Sequence, residues 1–452
     1  MTKRIPGSKN NTILNKIQFS LRNTKLSNSI IKFTRSFRSS KKTSLPIGKV
    51  SIPKITLPKN SRGYIIISAV ILVIVLIGYG FSVYFSVNPK GYDTQESAMY
   101  KKKTFDNTIN VLYIGFENRL NSYKYIKYLN IVSVDSKNSV FKIYGISPNF
   151  LTTINNDSVT LESLWNNITI EDNTPRINVV VDEIQRFVGI RLDRYIAFNL
   201  DDLKAYVNTS RMTDTAFDTS SLDGILFTKG DVLSGDFLYG YLFDKTQERD
   251  IITLRQMNFQ KSLFEGIKGP IKMTRNLIGF SDFNSTFKMD FSRDEYSSFL
   301  TNLNSSDIIL SSTHFISDKF GIASVDPLDT SVSPDYNLID ENVNAYFRDI
   351  DIMKEQAAVE VYNATDTAGL AGNRRRFFQN LGANVVKFGN YPVSDVQSSL
   401  LYVPSKNVDL YKNNIIMIQK LLRGNVKITF EEYKYNYSGD LILVMGKDTE
   451  SI

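Results

Sequence analysis

The stretch Gly63–Val87, GYIIISAVILVIVLIGYGFSVYFSV, sets the organisation of the whole chain and contains no charged side chain. An α-helix rises about 1.5 Å per residue and the hydrocarbon core of a bilayer is about 30 Å thick, so about 20 such residues span a membrane. Tyr64 at one end, and Tyr84 and Phe85 at the other, are typical of headgroup depth. A secretory signal peptide would be shorter and would lie at the extreme N-terminus. The stretch therefore predicts a single transmembrane helix over residues 63–87.

The net charge of the chain changes sign at this predicted span. Residues 1–62 contain 15 of the 54 Lys and Arg residues and no Asp or Glu, whereas the rest of the chain has 39 basic residues against 46 acidic ones. Basic flanks stay on the cytoplasmic side of a membrane. We therefore expect a disordered cytoplasmic tail at 1–62 and an extracellular region from residue 88 onwards. Basic tails also bind nucleic acid, but the charge step favours a role in topology, and no nucleic-acid partner is expected.

Cysteine is absent and histidine occurs once, at His314. These counts exclude a thiol nucleophile, a histidine-based triad and a multi-histidine metal site. An exported region of this size without disulfides is unusual for a eukaryotic ectodomain and favours a bacterial envelope protein.

Hydrophobic patterns beyond the span predict two α/β units. After a polar stalk at 88–108, the run Asn110–Gly115 (NVLYIG) predicts a buried strand, and Asn178–Val188 predicts a helix that ends at Gly189. The first unit is predicted over 109–317 and a smaller α/β unit over 357–448. Residues 318–356 carry prolines and many Asp, Asn and Ser residues, and we expect them to form a linker.

Several motifs in this order resemble the LytR-CpsA-Psr family of envelope proteins. The first strand and turn read NVLYIGFENR (Asn110–Arg119), and VVDEIQRFVGIRLDRYIAFNLDDLKAYVN (Val180–Asn208) is similar to the family's helix, strand and helix segment. Two further blocks, LSGDFLYGYLFDK (Leu233–Lys245) and LRQMNFQKSLFEGI (Leu254–Ile267), follow at similar spacing. The stretch VEVYNATDTAGLAGNRRRFFQNLGANVVKFGN (Val359–Asn390) is similar to the family's LytR C-terminal domain.

This resemblance implies both a fold and an activity. The fold would be an extracellular α/β domain with a central mixed sheet, anchored by one transmembrane helix and followed by a small C-terminal α/β domain. Family members bind a polyprenyl-pyrophosphate-linked glycan, neutralise its pyrophosphate with arginines and Mg²⁺, and pass the glycan phosphate to peptidoglycan. Such phosphoryl transfer depends on positioning and on cations placed near the phosphate oxygens.

The family pattern assigns site residues to this sequence one by one. Glu117 occupies the position of the family's first metal-binding aspartate, which implies a catalytic residue and Mg²⁺ ligand. The implied catalytic arginines are Arg119 and Arg255. The implied substrate-binding residues are Lys127, Tyr241, Lys245 and Gln256.

The sequence also departs from the family pattern at its arginines. Ile146-Ser-Pro-Asn149 lacks the arginine that follows the hairpin in the family, Phe243 and Ile252 replace two more, and Lys127 replaces an aspartate. Each lost charge-assisted contact is worth about 1.5–3 kcal/mol. The departures leave open a catalytically inactive relative that binds polyprenyl lipid or wall glycan as an envelope scaffold or regulator, or an unrelated α/β ectodomain. In those cases Arg255 would cap a helix or pair with an acid, and Glu117 and Arg119 would be ordinary turn residues.

The run Arg374-Arg375-Arg376 lies on a predicted helix of the C-terminal unit. It predicts either a solvated basic helix face or a surface that binds anionic glycan.

Overall fold

The computed structural model describes residues 108–119, 123–154, 157–169, 175–210, 219–222, 225–228, 235–243, 249–268, 287–291, 293–311, 314–325, 329–403 and 408–449. The predicted cytoplasmic tail, the transmembrane helix at 63–87 and the stalk up to residue 107 lie outside these ranges. Within them, no helix combines the length and the apolar character needed to cross a membrane.

The strands, in chain order, are β1 (Thr108–Asn118), β2 (Lys124–Asp135), β3 (Val140–Gly145), β4 (Leu151–Ile154), β5 (Asp157–Thr160), β6 (Arg194–Asn199), β7 (Thr219–Leu222), β8 (Ile225–Thr228), β9 (Phe287–Met289), β10 (Asp307–Leu310), β11 (Gly321–Ala323), β12 (Val332–Pro334), β13 (Ala358–Asn363), β14 (Asn384–Asn390), β15 (Ser399–Tyr402), β16 (Val426–Thr429) and β17 (Leu441–Met445). The α-helices are α1 (Leu164–Asn167), α2 (Arg176–Val188), α3 (Leu200–Ser210), α4 (Gly235–Phe243), α5 (Arg249–Ile267), α6 (Arg293–Ser305), α7 (Tyr336–Phe347), α8 (Ile350–Glu355), α9 (Leu370–Asn380) and α10 (Lys412–Leu421).

The first unit contains a six-stranded sheet in the order β10-β3-β2-β1-β6-β9. Strand β1 pairs antiparallel with β2 and parallel with β6, and β10 pairs parallel with β3. The sheet is therefore mixed, which confirms the expected α/β class with a central mixed sheet. The carboxyl ends of β1, β3 and β6 and the amino end of β2 lie at one edge of this sheet, where the candidate site is found.

Helices cover both faces of the six-stranded sheet. Strand β1 contributes to both cores because its large apolar side chains point alternately to one face and to the other. Val111 and Tyr113 pack with α4, α5 and α6, whereas Leu112 and Ile114 pack with α2 and α7. All four side chains are at most 3 % exposed. A strand that buries both faces reads as a continuous apolar run, as NVLYIG does.

Residues 318–356, predicted as a linker, instead contain two helices, and each packs into one of the two α/β units. Helix α7 buries Ile339 and Val343 against the six-stranded sheet, and Asp335 caps its N-terminus by accepting from two backbone N–H groups. Helix α8 then packs Ile352 into the core of the second unit. The prediction was wrong because the polar residues that dominate this segment face outward, while its few apolar residues recur at helical spacing.

The second unit contains a five-stranded sheet in the order β14-β13-β17-β15-β16. Strand β13 lies between β14 and β17 and pairs parallel with both. One face packs against α9 and α10 through a core that includes Val359, Val361 and Phe378. The other face packs a smaller cluster around Tyr362 and Tyr433.

Side chains of α9 satisfy the carboxyl end of α2 in the first unit. Helix α2 ends at Gly189, whose φ of 71° is the left-handed conformation that glycine adopts easily. Arg376 donates to the carbonyl oxygens of Arg186 (3.0 Å) and Phe187 (3.2 Å), and Asn380 donates to that of Gly189 (3.0 Å). The last carbonyls of a helix have no partner within the helix, so the second unit supplies part of the C-cap of α2.

The arginine run therefore has a different role from either one predicted for it. Arg376 also pairs with Asp340 of α7 at 2.7 Å, and Arg374 is buried. Arg375 lies over the ring of Phe388, 4.5 Å from its centroid. The prediction of a free basic surface was wrong because Arg374 is buried, Arg376 pairs with α7 and Arg375 lies over a ring of β14.

Candidate functional site at the end of the central strand

A β-bulge shapes the end of β1. Gly115 pairs with Tyr128, but the next residue, Phe116, pairs with Ile126, so Lys127 is an extra residue on β2. A bulge bends its strand and redirects side chains. Gly115 allows this close approach, since a Cβ there would lie 2.7 Å from the ring of Phe198 and 2.8 Å from Cβ of Tyr128.

Glu117 lies two residues beyond this bulge and is held from two sides. Its Oε2 accepts from Nε of Arg119 at 3.1 Å and forms an ion pair with Nη2 at the same distance. Its Oε1 accepts from the hydroxyl of Tyr239 on α4. The side chain of Arg119 is 49 % exposed, and its guanidinium lies 4.4 Å from the ring centroid of Tyr125. The structure thus brings Glu117 and Arg119 together and leaves the cation accessible.

The electrostatic environment keeps Glu117 ionised. Partial burial raises the pKa of its carboxyl, but the Tyr239 hydroxyl and the cations of Lys127 and Arg119 outweigh burial and lower this pKa below its ordinary value. The same contact raises the pKa of Tyr239, together with burial. At neutral pH the pair therefore consists of a carboxylate and a neutral phenol.

Lys127 lies at the bulge and forms an ion pair with Glu162 at 2.5 Å. Its side chain is 17 % exposed, and its charge is close enough to Glu117 to lower the pKa of that carboxyl. Lys127 therefore adds positive charge to the same region, partly offset by Glu162.

Arg255 and Gln256 on α5 face the core. Arg255 is 2 % exposed, donates to the carbonyl oxygen of Tyr241 at 3.1 Å and lies 5.0 Å from the centroid of the Tyr241 ring. Gln256 donates to the carbonyl oxygens of Lys127 (3.0 Å) and Leu242 (3.3 Å). The two side chains thus join the last turn of α4 to α5 and to the bulge, which matches the helix-capping alternative for Arg255. Lys245 lies outside the described residues.

One arginine that the sequence patterns did not single out lies near the carboxyl end of β3. Arg249 forms an ion pair with Asp318 at 2.6 Å, and the other oxygen of Asp318 accepts from the hydroxyl of Ser147 at 2.8 Å. Ser147 belongs to the segment where the family arginine is missing. The sequence signal that could have identified Arg249 is its position at the start of α5, close to the predicted Arg255.

A cleft of about 200 Å³ opens at the same end of β1 but on the other face of the strand. It is lined by Phe116, Asn118, Lys124, Trp165, Ile177, Ala197, Phe198, Asn199, Asp202 and Lys288. Phe116 faces this cleft, whereas the following residue, Glu117, points toward α4.

Mg²⁺ at Glu117, which the family resemblance implied, stays a prediction. Across the described ranges, no group of three or more His, Asp or Glu side chains could hold a metal ion. Both carboxylate oxygens of Glu117 already have partners, Tyr239 and Arg119.

The second unit matches a known family. Residues 356–448 match the family model described as "LytR cell envelope-related transcriptional attenuator". This part of the chain is similar to the LytR C-terminal domain. The match confirms, for these residues, the resemblance that the motif Val359–Asn390 predicted. No curated protein matches the chain.

Several solved structures are similar to the chain. TagV of B. subtilis aligns at 16 % identity over 52 % of this chain and 94 % of its own, with a TM-score of 0.40. The LytR-CPS2A-psr family protein YwtF (TagT), solved with bound octaprenyl pyrophosphate lipid, aligns at 13 % identity over 54 % and 91 %, with a TM-score of 0.39. Lin1025 of Listeria innocua aligns at 14 % over 53 % and 97 %, with a TM-score of 0.38.

Proposed function

We propose that this protein is a membrane-anchored envelope protein that binds a polyprenyl-pyrophosphate-linked glycan and transfers the glycan phosphate to peptidoglycan. The observation that carries the proposal is the pairing of an ionised Glu117 with an accessible Arg119 at the end of β1. The LytR C-terminal domain at 356–448 supports an envelope role. The charge step at residues 63–87 supports an anchor with the N-terminus in the cytoplasm and the α/β domains outside.

Cations at this strand end would neutralise the pyrophosphate. Arg119 presents a planar fork of N–H donors that suits phosphate oxygens, and it can shift from Glu117 to a ligand because the pair is exposed. Lys127 adds a second charge beside it. Lys245, two residues past the end of α4, stays a predicted third contact.

Glu117 would accept the proton of the acceptor hydroxyl. The acceptor oxygen forms a bond to the phosphorus that carries the glycan, and the bond from this phosphorus to the bridging oxygen breaks. Polyprenyl phosphate leaves with the electron pair, and the hydroxyl proton passes to the Glu117 carboxylate. A carboxylate of lowered pKa is a weak base, so positioning and charge neutralisation supply most of the rate enhancement.

A second candidate function is binding of the lipid-linked glycan without transfer, as a scaffold or regulator. It is favoured by the burial of Arg255, which holds the Tyr241 carbonyl and faces the core. This candidate keeps the same ligand and the same cations, and it assigns Glu117 to positioning Arg119.

The test measures polyprenyl phosphate release by the full-length protein in detergent, with a polyprenyl-pyrophosphate-linked disaccharide as donor and peptidoglycan as acceptor. Arg119→Gln should reduce release at least about tenfold, since a charge-assisted contact is lost. Arg186→Gln is the matched control, because Arg186 is also exposed and paired with a nearby glutamate, Glu183. Donor binding without release would support the second candidate, and absence of both binding and release would overturn the proposal.

A further inference from the structure

Tyrosine side chains form a continuous surface on one face of the five-stranded sheet. Neighbouring ring centroids in this group lie 5.0–6.5 Å apart. The group, hereafter the tyrosine surface, consists of Tyr362, Tyr391, Tyr402, Tyr433, Tyr435 and Tyr437. Among the described residues, the core on this face is built from strands and loops, whereas α9 and α10 cover the opposite face.

The segment 430–439, between β16 and β17, supplies three of these rings. It reads FEEYKYNYSG, with a tyrosine at every second position from Tyr433 to Tyr437. In an extended chain, side chains two residues apart project to the same side. The contacts agree with this pattern, since the Tyr433 ring lies 5.8 Å from that of Tyr435 and 5.9 Å from that of Tyr437 between centroids.

Covering the sheet explains only part of the tyrosine surface. Tyr362 and Tyr433 are buried and pack with Val444 of β17. Tyr435 and Tyr437, in contrast, are 36 % and 45 % exposed. Exposed rings contribute little to a core, and clustered exposed aromatic groups are typical of interaction surfaces. The exposed rim is therefore the part that a purely structural role leaves unexplained.

The charges around the tyrosine surface are of both signs. Lys387 of β14 lies over the Tyr362 ring, 5.6 Å from its centroid. Burial, and then the nearby carboxylate of Glu431, raise the pKa of Tyr402. Burial also raises the pKa of Tyr433, so these phenols stay neutral at physiological pH. A surface for nucleic acid or for a phosphate-rich polymer would instead carry clustered cations.

We propose that the tyrosine surface binds a neutral, linear strand of N-acetylated amino sugars, the glycan backbone of peptidoglycan. The apolar C–H face of a sugar ring packs on an aromatic ring, and phenol hydroxyls donate to and accept from sugar hydroxyl and amide groups. A row of neighbouring rings suits a polymer that presents the same sugar ring repeatedly. The absence of a cation cluster in the described part of this surface fits an uncharged strand.

The choice of peptidoglycan rests on the proposed function, in which peptidoglycan is the acceptor. The tyrosine surface lies within residues 356–448, the part of the chain that is similar to the LytR C-terminal domain. Arg119, which is proposed to bind the donor, lies in the first unit at the end of β1. The second unit would thus hold the acceptor strand through contacts that are separate from those to the donor.

Co-sedimentation of the full-length protein in detergent with purified peptidoglycan sacculi tests the proposal. The sacculi are first stripped of protein and of anionic wall polymers. The protein should sediment saturably, and a soluble oligomer of N-acetylglucosamine should compete. High salt should weaken binding by less than about twofold, because salt screens ion pairs but not ring contacts. No sedimentation with stripped sacculi, or sedimentation that is lost at high salt, would overturn the proposal.

Variants of the exposed rim test which residues bind the strand. The double variant Tyr435→Ala with Tyr437→Ala should weaken sedimentation about tenfold, since two ring contacts are lost. The corresponding double phenylalanine variant keeps both rings and should retain most of the binding. Ile416→Ala is the matched control, because Ile416 is 47 % exposed on α10, which covers the opposite face of the same sheet. Unchanged sedimentation in the double alanine variant, or an equal loss in Ile416→Ala, would contradict the proposal.

The outcome is separable from that of the proposed function. Arg119→Gln should reduce polyprenyl phosphate release and leave sedimentation unchanged, whereas sedimentation needs neither donor lipid nor turnover. Sedimentation of a wild-type protein that releases no polyprenyl phosphate would count against the transferase alone. Release by a protein that does not sediment would count against the tyrosine surface alone.

Discussion

In the part of the chain that the structure describes, Glu117 and Glu360 each accept a hydrogen bond from a tyrosine hydroxyl, yet their surroundings differ. Glu117, at the edge of the six-stranded sheet, is held by Tyr239 and the exposed Arg119. Glu360, on β13 of the five-stranded sheet, is 0 % exposed and accepts from Tyr362 at 2.7 Å. Its other oxygen accepts from the backbone N–H groups of Ser438 (2.7 Å) and Gly439 (2.9 Å) and from the Ser438 hydroxyl (3.0 Å).

The pKa shifts of these two carboxyls do not distinguish their roles. Burial raises the pKa of Glu360, but the backbone N–H of Ser438 and the Tyr362 hydroxyl outweigh it and lower the pKa. The pKa of Glu117 is lowered too. The distinguishing feature is the donor set. Backbone N–H groups donate to Glu360, whereas Glu117 pairs with an exposed cation, to which the proposed function assigns a phosphate.

The largest expected effect is on stability at Glu360. Glu360→Ala should lower the free energy of opening of the second unit by about 2–4 kcal/mol, because buried donors lose a charged acceptor. Amide hydrogen exchange of strand β17 in the full-length protein measures this change. Glu117→Ala should leave exchange in β17 unaltered and cost under about 1 kcal/mol in β1, since an exposed pair contributes little. Equal losses at both sites would contradict the comparison.

The next effect concerns the bulge that sets the Glu117 site apart from Glu360. Gly115→Ala should destabilise the first unit by about 1–3 kcal/mol, because the added Cβ overlaps Phe198 and Tyr128. Urea unfolding followed by Trp165 fluorescence reports on this unit. Gly372→Ala is the control, since its Cβ would meet only Phe388 at 3.7 Å, and it should not destabilise the protein.

Removal of the tyrosine hydroxyl at each glutamate sharpens the distinction further. Tyr239→Phe takes a donor from the Glu117 carboxylate, so its lowered pKa should rise toward the ordinary value. A carboxylate with a lowered pKa stays ionised to a lower pH, so the acid limb of polyprenyl phosphate release should move to higher pH in this variant. Tyr362→Phe should destabilise the second unit instead and leave the pH profile of release unchanged. An acid limb that does not move in Tyr239→Phe would count against a role for Glu117 in the reaction.

The smallest effect concerns a buried charge whose hydrogen bonds are less complete than those of Glu360. Arg374 is 6 % exposed, its Nε has no hydrogen-bond partner in the described structure, and burial lowers its pKa to about 10, with contributions from Arg186 and Arg423. Arg374→Met should be neutral or stabilising by up to about 1 kcal/mol, as for other buried charges replaced by apolar residues. Thermal unfolding measures it. Arg376→Met, which loses Asp340 and two carbonyls, should destabilise the protein, and the reverse order would contradict this account.

Much of the fold follows from local patterns in the sequence. The runs at Asn110–Gly115 and Asn178–Val188 predicted β1 and α2 because apolar spacing and the Gly189 stop act within a few residues. The linker prediction failed because polar residues dominate 318–356, although α7 buries Ile339, Val343, Tyr346 and Phe347 at helical spacing.

The candidate site was predictable only in part. Glu117 and Arg119 are neighbours in sequence, and their pairing is local. The Tyr239 contact, the bulge at Lys127 and the burial of Arg255 depend on how α4 and α5 pack across the sheet, and no local pattern encodes this packing. The cleft around Lys124 and Trp165 likewise joins segments that are distant in the chain.

The contact between α9 and the end of α2 places a limit on how the chain can be divided. Similarity to a family begins at residue 356, but the carbonyl oxygens of Phe187 and Gly189 find their donors on Arg376 and Asn380, beyond that point. A chain that stops at residue 355 would leave the end of α2 without those donors and Asp340 without its arginine. The start of the family match is thus not the limit of a self-sufficient unit, because the end of α2 depends on donors that lie beyond it.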